Sequence, residues 1–380
     1  IVAGSIVTGS IVADLVERSE VIVCCGSGGV GKTTTAAVIG IEAARRGRRV
    51  VVVTIDPARR LADALGLPDG LTGEPQPVRL VGDHEPVGDG GLWAMMLDTP
   101  AMFERIVRAH AADAEQAERI VGNRLYLNIA GALSGTQEYM ASEALHELHG
   151  DRRFDLVVVD TPPSRNALDF LEAPGVLSRF LDHTAFKLLM MPTRSGMKIL
   201  SIATQPLLRA IGKVVGSEVL TDAVAFFQAF AGMDVGFRER AEAVTGLLHD
   251  EATTFMLVTA PQRDTVAEAT WFADQLVQQG FSISAAVVNR VHPAFGPGSA
   301  AEAHRRARTA AERGDHEVEA LWTNLAELRS IAAAERAELA PLVDRVGADS
   351  IVEVPLLPED VHDITALAVL GAHLFATGPG

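Results

Sequence analysis

The chain has 380 residues, 48% of them hydrophobic, and a formal net charge of −16. That length holds one large domain with insertions or two domains, and the composition is that of an α/β protein with a sizeable core. The acidic excess argues against a nucleic-acid backbone as main partner, no apolar run reaches the roughly 18 residues of a membrane span, and neither a disulfide scaffold nor a metal site follows from the adjacent pair Cys24 and Cys25.

That cysteine usage reads as a cytoplasmic protein without stable membrane insertion, and the N-terminal IVAGSIVTGS, which has no basic region, does not read as a signal peptide. The first predicted element is a strand over Val21–Cys25, whose neighbouring cysteines point to opposite faces. It runs into Gly26-Ser27-Gly28-Gly29-Val30-Gly31-Lys32-Thr33, which meets the pattern G-x-x-x-x-G-K-[ST]; then comes a helix from about Thr33 to Arg46, closed by Gly47. Glycines let successive N–H groups turn inward as an anion nest, and the helix N-terminus adds its positive end. Lys32 reaches the β- and γ-phosphates of a nucleotide, Thr33 offers a hydroxyl to Mg²⁺, and Thr34 extends the cradle. A bare glycine turn with no ligand leaves the Gly-Lys-Thr ending unexplained.

A second, nearly all β-branched strand spans Arg49–Thr54 and ends in Ile55-Asp56-Pro57, with a helix from near Leu61. Residues 67–91 read as loop with a short strand at Val78–Val81. Two helices are predicted over Pro100–Glu118 and Gly135–Leu148, then a strand over Phe154–Asp160 that leads into Thr161-Pro-Pro-Ser-Arg-Asn166. Residues 167–248 read as long, oily helices, including 186–192, 198–215 and 224–233. Strands at Thr254–Thr259 and Ile283–Asn289 flank a helix over 264–278. A charged, alanine-rich helical hairpin covers 297–347, and a last strand at Ile351–Val354 runs into Pro355-Leu356-Leu357-Pro358 and a final helix.

The expected fold is a doubly wound, mostly parallel α/β sheet of the P-loop NTPase type with an inserted helical subdomain. Residues 15–98, 151–170 and 251–380 form the nucleotide-binding core, 99–150 a helical insertion and 171–250 the hydrophobic helical subdomain. The ligand then sits outside the strands' carboxyl ends, where Asp56 and Asp160 each end a strand. Asp160, at the tip of an apolar strand, is assigned to the magnesium side and Asp56 to positioning the attacking water; the alternative is that each caps the next helix. His146 and His149, three apart in HELHG, have the spacing of a metal pair but no further ligand nearby, and read as surface residues. The oily 180–233 stretch is either helical core or an apolar groove for a hydrophobic segment of another protein.

These motifs together resemble the arsenite-transporting and tail-anchored-protein-targeting ATPases, a deviant phosphate-loop class, over about Val21 to Phe375. The chain is similar to a bacterial member. GSGGVGKTTT resembles the family's phosphate loop, TIDPARRLADALG at 54–66 its first switch and DTPPSRNALDFL at 160–171 its second. The resemblance implies ATP and Mg²⁺ as ligands, water activation by Asp56, Mg²⁺ near Asp160, adenine-edge recognition by Asn289, and packing of Pro355 and Leu356 on the base. GTQEYMA at 135–141 and the oily helices resemble its helical subdomain. The implied function is a dimeric switch that hydrolyses ATP and thereby captures or releases a client such as a hydrophobic protein segment.

Two departures qualify this. The family's signature lysine, which reaches the partner subunit's phosphates, is replaced by Ser27. A hydroxyl supplies no cation to the transferring phosphoryl group. A heterodimer with a lysine-bearing paralogue is therefore expected, in which the partner's own site receives no lysine from this chain unless Arg165 or another basic residue substitutes; a homodimer is the alternative. The zinc-holding cysteines of the eukaryotic members and the paired cysteines of arsenite activation are absent, and Arg165-Asn166 replaces a Gly-His pair in the second switch. Competing readings are a low-turnover ATP-binding regulatory subunit and a partition-type ATPase on DNA or membrane. An apolar C-terminus without Lys or Arg weighs against the last.

Overall fold

A computed structural model describes residues 10–56, 58–80, 85–123, 136–182, 225–226, 228–230, 232–361 and 363–376, excepting the side chains of 164–166 and 180. At its centre lies β1 (Val21–Gly26), every residue of which is buried. Around it are β2 (Arg49–Thr54), β3 (Gln76–Val78), β4 (Gly91–Met96), β5 (Leu156–Asp160), β6 (Thr253–Thr259), β7 (Ile283–Val291) and β8 (Ile351–Pro355). They form one sheet in the order β3-β4-β2-β5-β1-β6-β7-β8. Every pairing is parallel except β3 with β4. The near-continuous Val and Ile runs of β1, β2 and β5 are what a strand covered on both faces requires.

Two hydrophobic layers cover the sheet. Cys24 packs into one and Cys25 into the other, as period-two alternation demands. The first layer includes α1 (Ile11–Arg18), α2 (Lys32–Arg45), α3 (Arg60–Ala64) and the last helix, α13 (Ile364–Leu374). The second includes α6 (Thr136–Gly150), α7 (Ser164–Asp182), α8 (Asp234–Leu248) and α9 (Arg263–Gln278). A third cluster joins α4 (Thr99–His110), α5 (Ala114–Val121) and parts of α6, α7 and α8. The surface hairpin is α10 (Ala300–Glu312) against α11 (His316–Glu338), followed by α12 (Ala340–Val346).

Four local features differ from the sequence expectation. Helix α1 precedes β1. Strand β4 replaces what patterning left unassigned after residue 91; GLWAMM carries no β-branched residue, and its extended form comes from pairing with β2 on one side and β3 on the other. The short strand expected over Val78–Val81 lies at Gln76–Val78 instead, with Arg79 and Leu80 beyond it and Val81 outside the described residues, and as an edge strand it tolerates Pro77. The helix expected over Pro100–Glu118 is broken after His110, where the Asp113 carboxylate accepts from the Gln116 N–H at 2.7 Å and caps a new helix. The oily segments 186–192 and 198–215, residues 224, 227 and 231 of the third segment, and Gly135 lie outside the described residues.

Candidate nucleotide site

The winding direction reverses around β1: the chain leaves it for β2 on one side and later reaches β6 on the other. The crevice at such a switch point, beyond the strands' carboxyl ends, is where the fold places a ligand. Backbone geometry there admits only glycine at two positions. Gly26 has φ +150° and a Cβ would lie 1.9 Å from the Val258 carbonyl oxygen; Gly31 has φ +103° and a Cβ would lie 2.4 Å from Asn289 Nδ2.

Lys32 opens α2, and its Nζ donates to the Gly26 and Ser27 carbonyls at 2.9 and 2.7 Å. The loop thus wraps its own ammonium. Burial pushes the Lys32 pKa down, with Asp160 the largest opposing influence. Asp160 stands at the tip of β5, level with Cys24 of β1 and Thr54 of β2. Its Oδ2 accepts from the Thr33 hydroxyl at 2.8 Å and the Thr54 hydroxyl at 2.9 Å, while its Oδ1 is buried with no hydrogen-bond partner. Burial raises the carboxyl pKa to about 6, against the opposing pull of those hydroxyls and of Lys32. An unpartnered buried carboxylate oxygen beside a threonine hydroxyl is a hard-oxygen donor set, and it fits Mg²⁺ held by Thr33 and Asp160.

Asp56 follows β2 on a turn. Its carboxylate accepts from the Ala58 N–H at 3.0 Å and from Arg60 at 3.2 Å, a turn contact rather than the helix cap weighed for it, since Arg59 is the N-cap of α3, and Asp56 still faces the cavity. That cavity is about 500 Å³ and is walled by Gly28, Gly29, Gly31, Lys32, Thr33, Thr34 and Asp56 among others. A second chamber of about 240 Å³ shares part of the wall and adds Asn289, Pro355 and Leu356. Asn289 Nδ2 donates to the Val30 carbonyl at 2.9 Å.

Four of the expected residues do not line either chamber. Gly26 and Val30 act through their carbonyls, Asp160 lies beneath the floor, and Ser27 is buried with its hydroxyl unpartnered. The structure adds residues that motif reading passed over. Thr54, the last residue of the β2 run, fixes Asp160, and the Thr161 hydroxyl donates to the Cys24 carbonyl at 2.7 Å. Their signal was a hydroxyl at or next to a strand tip beside an aspartate. Arg60 pairs with Asp56, and Arg290 stands on the wall of both chambers. The Arg165 and Asn166 side chains lie outside the described residues.

A glycine loop between a central strand and a helix, with a buried aspartate at the neighbouring strand's tip, defines a phosphate-loop nucleoside triphosphatase. Residues 19–326 match the family described as anion-transporting ATPase, and the chain belongs to that family. As a member it is an ATPase. Among its relatives, the ATPase GET3 of Malassezia globosa is 27% identical over 358 residues, covering 93% of this chain and 90% of that protein. The ATPase get3 of Aspergillus terreus is 27% identical over 270 residues, 70% of this chain and 71% of that one. Protein Rv2184c of Mycobacterium tuberculosis is 34% identical over 169 residues, which is 43% of this chain and only 40% of that protein's length. No helix among the described residues is long and apolar enough to cross a membrane.

Proposed function

We propose that the chain is an ATP-hydrolysing dimeric molecular switch that couples binding and hydrolysis to capture or release of a client, a hydrophobic protein segment being the class of choice. The observation that carries this reading is the unpartnered Oδ1 of Asp160 beside Thr33, at the mouth of a loop that already holds Lys32. Relatives named ATPase GET3 along most of the chain support it.

Lys32 exchanges the Gly26 and Ser27 carbonyls for β- and γ-phosphate oxygens. Thr33 and Asp160 would hold Mg²⁺, which would offset charge on the transferring phosphoryl group. Asp56 orients the attacking water. Its contact with Arg60, whose side chain is 65% exposed, is worth less than about 1 kcal/mol and yields readily. Asn289 keeps its amide nitrogen on Val30 and has its carbonyl oxygen left to accept from the adenine amino group, with Pro355 and Leu356 against the ring.

Ser27 favours a second reading of the assembly: the missing lysine comes from a related subunit, so that this chain turns over weakly alone. In the limit it is a low-turnover regulatory subunit. Phosphate release tests both. Weak release by the purified chain, a rise on mixing with a lysine-bearing paralogue, and release by Ser27→Lys without a paralogue are expected. Strong release by the unmixed wild type that Lys32→Ala abolishes would sink the donated lysine and leave a self-sufficient homodimer.

A further inference from the structure

Arg290 follows Asn289 near the end of β7 and has φ +63°, in the left-handed region. A long side chain rarely takes that conformation, and such strain collects at ligand sites. Pairing of β7 with β8 shifts register between Val288 and Val291, an irregularity of the kind that re-aims side chains. Its consequence here is a division of labour. Asn289 is buried and tied to the phosphate loop, while Arg290 is exposed.

Arg290 walls both the 500 Å³ and the 240 Å³ chambers, so it stands at the seam between them. Its guanidinium has no hydrogen bond or ion pair among the described residues. The other cations of the larger chamber differ: Arg60 holds Asp56, and Lys32 is held by loop carbonyls. The smaller chamber carries Glu359 and Asp360, which repel phosphate and suit the uncharged end of a nucleotide. With terminal phosphates at the loop and base in the smaller chamber, the group at the seam is the 5′-phosphate. A guanidinium fork matches phosphate oxygens bidentately.

We infer that Arg290 is a nucleotide-binding residue that donates to the α-phosphate and makes the site select 5′-phosphorylated nucleotides over nucleosides. This rests on the ATP reading above and deepens it. Competition by ADP, AMP and adenosine against a fluorescent ADP analogue, using the full chain, tests it. Arg290→Gly and Arg290→Asn both tolerate a left-handed backbone, so they remove the cation without straining the fold, and a thermal melt checks that. Loss of one charge-assisted contact should weaken ADP and AMP about tenfold or more and leave adenosine within about twofold. Wild-type ADP affinity in both variants, or equal loss of ADP and adenosine, overturns the assignment. Failure of the wild type itself to bind ADP overturns the nucleotide reading and this with it, and is told apart because no variant enters that result.

Discussion

Two buried carboxylates separate the molecule into regions of different purpose. Asp160, 1% exposed, ends a core strand with one oxygen unsatisfied. Glu143, 0% exposed, lies in α6 within the helical layer, where the Tyr139 hydroxyl and Arg240 Nε, the latter at 2.6 Å, both donate to it. In the same helical layer, aromatic contacts join separate segments: Phe230 meets Phe103 of α4 at 6.2 Å and Phe237 of α8 at 5.8 Å. A satisfied buried charge fixes how helices meet. An unsatisfied one stores free energy that a ligand can release.

The contrast is broken most sharply by Asp160→Asn. The substitution removes the charge that Mg²⁺ needs, so phosphate release should fall by about 100-fold or more. The same change relieves a carboxylate whose pKa burial has raised to about 6, and it should stabilise the ligand-free chain by about 1–3 kcal/mol. Activity lost with stability gained, read by phosphate release and by urea unfolding, is the expected pair. A loss of both would place Asp160 among purely structural residues.

Glu143 should behave in the opposite way. Arg240→Met strips the ion pair from a carboxylate with no water to replace it, a loss on the order of 3 kcal/mol. Changing both partners, Glu143→Leu with Arg240→Met, should recover most of that. ADP affinity should change little in either variant, because the cluster lies on α6 and α8 away from both chambers. Urea unfolding and ADP titration check the two halves of this prediction.

The same division explains what patterning could read. The loop Gly26–Thr33, Asp56, Asp160 and Asn289 stand at strand tips, where local signals and the fold's switch point agree. Asp56 was legible as a strand-end acid, but its bond to Arg60 depends on a turn that sequence does not specify. Strand β4 was not legible, because its conformation is imposed by neighbours far away in sequence. Arg290 escaped for a similar reason: its left-handed backbone lies within the register shift against β8, where Val291 pairs with Pro355 more than sixty residues later. The Glu143–Arg240 pair joins residues on separate helices, and no spacing rule finds it.

The smallest effect sharpens the comparison through pH. Asp160 has an ordinary pKa of 3.8 and a folded value of about 6. Between those values the folded chain keeps a proton that the unfolded chain has released. From this group alone, ligand-free stability is therefore highest at low pH, falls as pH rises from about 4 to about 6, and levels above. Magnesium needs the carboxylate, so its affinity runs the other way, rising by about tenfold per pH unit below 6 and flattening above it. Asp160→Asn should remove both slopes, and Arg240→Met should keep the magnesium slope because it leaves the strand tip untouched. A Mg²⁺ titration in the presence of ADP from pH 5 to pH 8, run on both variants, separates the groups. If Arg240→Met flattened the slope as fully as Asp160→Asn, the helical layer would be coupled to the metal site rather than a scaffold beside it.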